Sequence, residues 1–382
     1  MPRRVLVLAA LLAFAACDEG HDVRLPSANL ASVLGAGDDA GFARALTPPE
    51  LAFPRDHGPH PAFRTEWWYV TGNADSSDGR RFGLQLVFFR QALAANPPER
   101  TASLAARDVI LAHAAVTDVD GKSYFAEERF GRLAGGMATM RGGDNAPFRV
   151  ECADWSAIST ADGDGFLPLR LRASGRGFAF DVTLQAGTPP VPQGDRGLSK
   201  KSAAPGNASI YYSMTRLPLD GTIRVGDTTH EVTGLAWVDR EWSTSALAPE
   251  QVGWDWFSLQ LDNGEDVMWY RLRRSDGSVD RSSSGSVVNA TGTKWTLTPD
   301  MVDAVPTGEW RAADGGARYP AKWRLTSRAP RFDLEIEPLL ADQELRVFVR
   351  YWEGAVSVKG TRDGKPVSGR GYLEMTGYAT TR

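Results

Sequence analysis

Residues 65–90 read TEWWYVTGNADSSDGRRFGLQLVFFR, and this stretch decides the fold. Bulky residues flank a polar segment ending in Asp78-Gly79, and no helical spacing is present, so the stretch reads as two strands joined by a turn. Period-two alternation puts Glu66, Trp68 and Val70 on one face and Trp67 with Tyr69 on the other. Glu66 and Gln85 are polar where a plain barrel strand is apolar, which makes Glu66, Trp68 and Gln85 candidate ligand contacts in one wall of a site.

Working outward, residues 255–271, DWFSLQLDNGEDVMWYR, repeat the grammar of that hairpin: an acid, aromatics, a turn closed by Gly, then a strand ending in aromatics and Arg. The repeat implies a second barrel built on the plan of the first. Asp-Gly pairs at 120–121, 162–163 and 220–221 punctuate alternating runs such as 109–116 and 169–173, the mark of an antiparallel meander closed into a barrel or sandwich. Later strands are expected at 295–297, 322–325, 332–336, 345–352 and 371–378. The length of 382 residues, 39 Gly and 12 Trp suit an all-β, turn-rich chain of two domains. They are placed at 51–232 and 233–382.

A formal net charge of −4, with acids and bases interspersed, gives no support for nucleic acid as a partner. Residues 1–17 read as a targeting segment: Arg3 and Arg4, an apolar run over 5–16 too short to span a bilayer, then Cys17. Phe14-Ala15-Ala16-Cys17 is similar to a bacterial lipobox, which predicts lipidation of Cys17 and a lipoprotein held on the periplasmic side of the cell envelope; the alternative is an ordinary secretion signal. Residues 18–50 read as a flexible tether. Cys152 then has no partner for a disulfide, and acidic neighbours mark it as inert.

The residues with chemistry are concentrated in 234–256, GLAWVDREWSTSALAPEQVGWDW. Asp239, Glu241 and Asp255 lie among Trp237, Trp242, Trp254 and Trp256, and carboxyls in apolar surroundings acquire the raised pKa a general acid needs near neutral pH. Alternatively, Asp239 and Glu241 form ordinary ion pairs with Arg240 or another Arg. His113 shares a face with Leu111 and Ala115, as a pocket residue or as a hydrogen-bonded interior histidine. His57 and His60 near Asp56 read as structural, Lys200 and Lys201 in the 189–206 insertion as a solvated basic loop or, alternatively, as groups that approach an acid or a phosphate, and no metal or cofactor is expected. No G-x-S-x-G, H-E-x-x-H or paired C-x-x-C occurs.

Together EWWYVTG, FGLQLVFFR, LAHAAVTD, GLAWVDREWSTS, GWDWFSLQL, YWEGAVSVKG and GRGYLEMTGY resemble the AttH-like family, which includes the carotenoid 1,2-hydratases. The resemblance covers nearly the whole chain after residue 51 and is closest to the secreted branch labelled "predicted secreted hydrolase". It implies two tandem lipocalin-like barrels and an apolar cavity with a few placed polar groups. The expected role is to hold an apolar isoprenoid- or lipid-like molecule; the alternatives are a hydratase or isomerase acting on a carbon-carbon double bond of such a molecule, or a hydrolase. In a hydratase, Asp239 or Glu241 would be the acid, Trp237 and Trp242 the cation-stabilising walls, and His113 or Gln85 the group orienting water. Arg240 stands where a hydratase is expected to carry His.

Overall fold

The computed structural model describes residues 39–96, 106–143, 146–245, 247–314 and 316–379. Cys17, the targeting segment and most of the expected tether lie outside them. The described residues form two antiparallel sheets.

The first sheet begins with β1 (Thr65–Ser76), β2 (Arg81–Ala92), β3 (Asp108–Asp118) and β4 (Ser123–Arg132). It continues through β5 (Ala138–Gly143), β6 (Ala146–Cys152), β7 (Trp155–Ser159), β8 (Leu169–Gly175) and β9 (Phe178–Leu184). Short strands β10 (Val191–Pro192) and β11 (Leu198–Lys200) precede the long β12 (Ala208–Val225) and β13 (Thr228–Ser243). The strand order is β4-β3-β2-β1-β13-β12-β9-β8-β7-β6-β5, with β10 and β11 paired to β12. Its ends curl together: a Cβ on Gly131 of β4 would lie 2.9 Å from Ala138 of β5 and 3.1 Å from Cys152 Sγ of β6. The sheet is a nearly closed barrel.

The second sheet contains β14 (Gln251–Leu261), β15 (Asp266–Arg274), β16 (Ser284–Val288), β17 (Lys294–Leu297) and β18 (Val302–Arg311). It is completed by β19 (Arg318–Arg328), β20 (Arg331–Pro338), β21 (Glu344–Leu345), β22 (Tyr351–Arg362) and β23 (Lys365–Met375). Its order, β17-β16-β15-β14-β23-β22-β20-β19-β18, follows the plan of the first, because the opening strand pairs both with its hairpin partner and with the last strand. It is a curled half-barrel. The expected boundary at 232/233 falls inside β13, which is bonded to β1 from Val232 to Ser243; the sheets divide between Ser243 and Gln251. Likewise residues 39–50, expected in the tether, lie against the body where Phe42 and Ala45 are buried and Ala43 N donates to Ala62 O.

Each sheet buries one face on its own core, around Trp68, Trp155 and Trp242 in the first and Trp269, Trp323 and Trp352 in the second. The opposite faces pack on each other through Tyr69, Phe89, Tyr211, Trp237, Trp256 and Tyr270. Coverage on both faces explains why β2 reads FGLQLVFFR without clean alternation. Gly83 allows the close approach, since a Cβ there would lie 2.7 Å from both Ala355 Cβ and the Tyr372 hydroxyl. Gly79 turns the opening hairpin at φ +86°. Polar ties cross the seam, among them Tyr69 Oη to Glu353 Oε1 (2.6 Å), Asn73 Nδ2 to Gly371 O (3.2 Å) and the Arg216–Asp266 ion pair (2.5 Å).

Candidate functional site

Between the packed faces lies a cavity of about 100 Å³, somewhat smaller than the roughly 150 Å³ void that admits a benzene ring. Its walls repeat across the seam. Trp67 of β1 stands opposite Phe89 on β2 and Glu241 on β13. Trp256 of β14 stands in the equivalent register opposite Tyr270 on β15 and Glu374 on β23. All six line the cavity, so the internal repeat builds a site from matched halves. Half-buried Trp67, Lys201, Ser245, Leu247 and Trp254 mark the side where solvent reaches it.

The halves differ in charge. Where the second sheet has Tyr372 opposite Ser258, the first has Asp239 opposite Tyr69. Asp239 Oδ2 accepts from Tyr211 Oη at 2.5 Å, and Oδ1 accepts from Ser213 Oγ at 2.6 Å and Trp237 Nε1 at 2.7 Å. Burial raises its pKa to about 7, against three donors that favour the ionised form and with the Glu241 charge adding to the rise. Burial raises Glu374 to about 7 as well, offset in part by Trp254 Nε1, which donates to it at 3.0 Å. Glu241 Oε1 lies 2.9 Å from Lys201 Nζ, an ion pair inside the chamber. Burial works against the Lys201 charge, but Glu241 and Tyr270 outweigh it and its pKa rises; the ammonium sits 4.5 Å from the centre of the Tyr270 ring. One small aromatic chamber thus holds a carboxyl able to keep a proton near neutrality and, two residues along the same strand, a second carboxyl paired with an ammonium.

Of the expected residues, Asp239, Glu241, Trp254 and Trp256 line the cavity. Trp237 lies behind Asp239, positioning it and meeting Trp256 edge-on at 6.2 Å between centroids. The others are elsewhere, for one reason: alternation identifies residues sharing a face but not which face meets the seam. Glu66, Trp68 and Trp242 point into the first barrel. There Glu66 pairs with Arg90 and Arg240, Trp68 Nε1 donates to His57 O at 3.0 Å, and Trp242 stacks on His60 at 3.7 Å. Asp255 points into the half-barrel, away from Trp254 and Trp256. His113 and Gln85 face the seam but not the cavity; His113 Nδ1 is 2.9 Å from Tyr351 Oη, and burial lowers its pKa to about 3. His113 is therefore a neutral interior histidine. Arg240 also turns into the barrel, its guanidinium 3.9 Å over Trp68, so it forms no ion pair with Asp239, and the place where a hydratase histidine is expected does not face the cavity.

Lys201, Tyr211 and Glu374 also line the cavity, none of them expected as a site residue. Only Lys201 left a trace, in the long insertion: β10 and β11 fold it back onto β12 and carry Lys201 inward, so it is not a solvated loop residue. Among the described residues no histidine lines the cavity, so Ser209, Ser243 and Ser245 have no histidine base beside them there. Cys152 is fully buried and burial pushes its thiol up to about 12. Among the described residues no group of three or more His, Cys, Asp or Glu side chains is placed to hold a metal.

A family model described as AttH-like matches residues 44–378. A crystal structure of a candidate AttH from Nitrosomonas europaea is 34% identical, covering 88% of this chain and 100% of its own, with a TM-score of 0.77. Kievitone hydratase from Nectria haematococca is 16% identical over 90% of this chain and 97% of its own with a TM-score of 0.66, a likeness of fold. The dehydratase asqC of Emericella nidulans is 25% identical over 187 residues, 46% of this chain. The chain spans about half the length of that curated relative, 49%.

Proposed function

The chain belongs to the AttH-like family, and from that premise we propose that it adds water to, or removes it from, a carbon-carbon double bond of a small, largely apolar molecule held between the two sheets. The observation that carries this reading is the pair Asp239 and Glu241, side by side on one face of β13 in an aromatic chamber, with Asp239 raised to about 7. The hydratase and dehydratase among similar proteins support it for the class of reaction.

In the hydration direction, protonated Asp239 gives its proton to one alkene carbon as the π electrons form the new C–H bond. The faces of Trp67, Tyr211 and Trp256 favour positive charge developing on the neighbouring carbon. A water held by Glu241 bonds through its oxygen to that carbon and passes a proton to Glu241 Oε1, yielding the alcohol. Asp239 regains its proton from solvent as Glu241 releases one, so the sum is alkene plus water. Lys201 holds Glu241 in place. Dehydration is the reverse.

The cavity is too small to enclose a whole apolar molecule, so the substrate presents a short alkene segment with the remainder at the mouth. The test is incubation with short isoprenoid alkenes and their tertiary alcohols in ¹⁸O-labelled water, read by mass spectrometry. Label should enter the alcohol with the parent protein and not with Asp239→Asn. Failure of the parent to exchange label, with ligand binding intact in Asp239→Asn, would leave a carrier of apolar molecules. Lipid attachment at Cys17 and a periplasmic location belong to the same proposal; Cys17→Ser should release the protein from the membrane fraction.

A further inference from the structure

The repeat that builds the cavity also places a second pair of equivalent residues on the other face of each sheet. Glu66 stands opposite Arg90, and Asp255 stands opposite Arg271, in the same register of the two opening hairpins. Each acid is fully buried and faces two arginines.

In the first barrel this cradle is sealed by the chain itself. Glu66 accepts from Arg90 Nε and Arg240 Nη2, both at 2.5 Å, and from His60 N. The remaining guanidinium donors meet oxygens: Arg90 reaches Asp108 Oδ1 (2.7 Å), His60 O (3.1 Å) and Phe63 O (2.6 Å), and Arg240 reaches Gly58 O (2.5 Å) and Trp67 O (3.2 Å). The segment FPRDHGPHPAF, residues 53–63, supplies most of those acceptors.

Among the described residues, no segment like 53–63 covers the cradle of the half-barrel. Asp255 Oδ2 lies 2.9 Å from Arg271 Nε and 3.4 Å from Arg273 Nε, and Oδ1 accepts from Tyr378 Oη at 2.8 Å. Arg273 lies 3.6 Å over the Tyr378 ring and donates through Nη2 to Thr376 O, but its Nε is buried without a well-formed hydrogen bond. Arg273 Nη1 and Arg271 Nη2 have no protein acceptor among the described residues. In front lies an open groove of about 560 Å³ lined by Arg271, Arg273, Pro306, Arg318, Pro320 and Tyr378. On its rim Arg318 is paired with Glu309 at 2.9 Å, so two arginines against one aspartate leave a single positive charge.

We propose that this groove is a second binding site, distinct from the inter-sheet cavity, for a molecule bearing one carboxylate. The carboxylate would supply the acceptors that the 53–63 segment supplies in the first barrel. One anionic charge matches the surplus, and guanidinium forks bind the two oxygens of a carboxylate in a plane. The Tyr378 ring and the two prolines favour a flat apolar group behind it.

Benzoate is the probe, titrated calorimetrically at low salt into the full chain, with inorganic phosphate as the comparison anion. Saturable benzoate binding is expected, about tenfold weaker in Arg273→Gln, weakened by added salt, and unchanged in Asp239→Asn. Should Arg273→Gln fail to melt cooperatively, Arg273→Lys keeps the charge without the fork and should still lose several-fold in affinity. No saturable binding, binding indifferent to both Arg273 variants, loss of binding in Asp239→Asn, or tighter binding of phosphate than of benzoate would each overturn the assignment.

Discussion

The two hairpins that open the sheets, β1–β2 and β14–β15, share a register and differ in what surrounds them. On the seam, Trp67, Phe89 and Glu241 face Trp256, Tyr270 and Glu374 as matched halves of one chamber, and the added groups Asp239, Tyr211 and Lys201 all come from the first sheet. On the inner faces the acid–arginine cradle is sealed around Glu66 and open around Asp255. Repetition therefore supplies walls and cradles, and departures from repetition supply the groups to which the proposed chemistry is assigned.

The sharpest way to break the comparison is to make the seam symmetric in charge. Asp239→Asn keeps acceptors for Ser213 and Trp237 but cannot deliver a proton, and kcat should fall by about 10²–10⁴ in the labelled-water assay. A smaller loss would place the acid elsewhere. The inner faces come next. Glu66→Gln leaves Arg90 and Arg240 buried without their carboxylate and should cost about 3–5 kcal/mol in denaturant unfolding. Asp255→Asn should cost less, roughly 1–3 kcal/mol, because Arg271 and Arg273 border an open groove. Equal losses would mean the second cradle is as closed as the first.

The pH dependence gives a third comparison. Asp239 has a folded pKa of about 7 against an ordinary value of 3.8, so between those limits the folded chain holds a proton that the unfolded chain has released. Stability from this group is full below about pH 4, falls as pH rises towards 7, and is level above it; Glu374, raised to about 7, adds to the same fall. Asp239→Asn should thus melt like its parent near pH 4 and be more stable at pH 8 by about 2–4 kcal/mol. Activity that needs protonated Asp239 should decline above about pH 7. The smallest effect separates the equivalent glutamates. Glu241→Gln should lower kcat roughly tenfold to a hundredfold, and Glu374→Gln by less than about threefold. Similar losses would make the two halves chemically alike.

Much of this was legible in local sequence. Alternation and turns carry the all-β class and the opening hairpin, and the repeated grammar at 255–271 carries the second sheet. Asp239, Glu241, Trp254 and Trp256 stood out because carboxyls among tryptophans are costly unless they serve a purpose. Glu66, Trp68, Gln85, His113, Trp242 and Asp255 stood out as polar or aromatic groups within apolar strands and line no part of the cavity. Their polarity is used in the cradles and the seam, and sequence does not separate a buried ion pair from a catalytic acid.

By itself the chain determined its strands, its repeat, its family resemblance and which side chains share a face, because these follow from backbone geometry over a few residues. Tertiary structure decided which face of each strand meets the other sheet. It alone placed Glu374 across from Glu241, brought Lys201 in on a folded-back insertion, sealed one acid–arginine cradle and left the other open. Those outcomes depend on contacts between residues far apart in sequence, such as Lys201 with Glu241 and Glu66 with Arg240, and no local period encodes them.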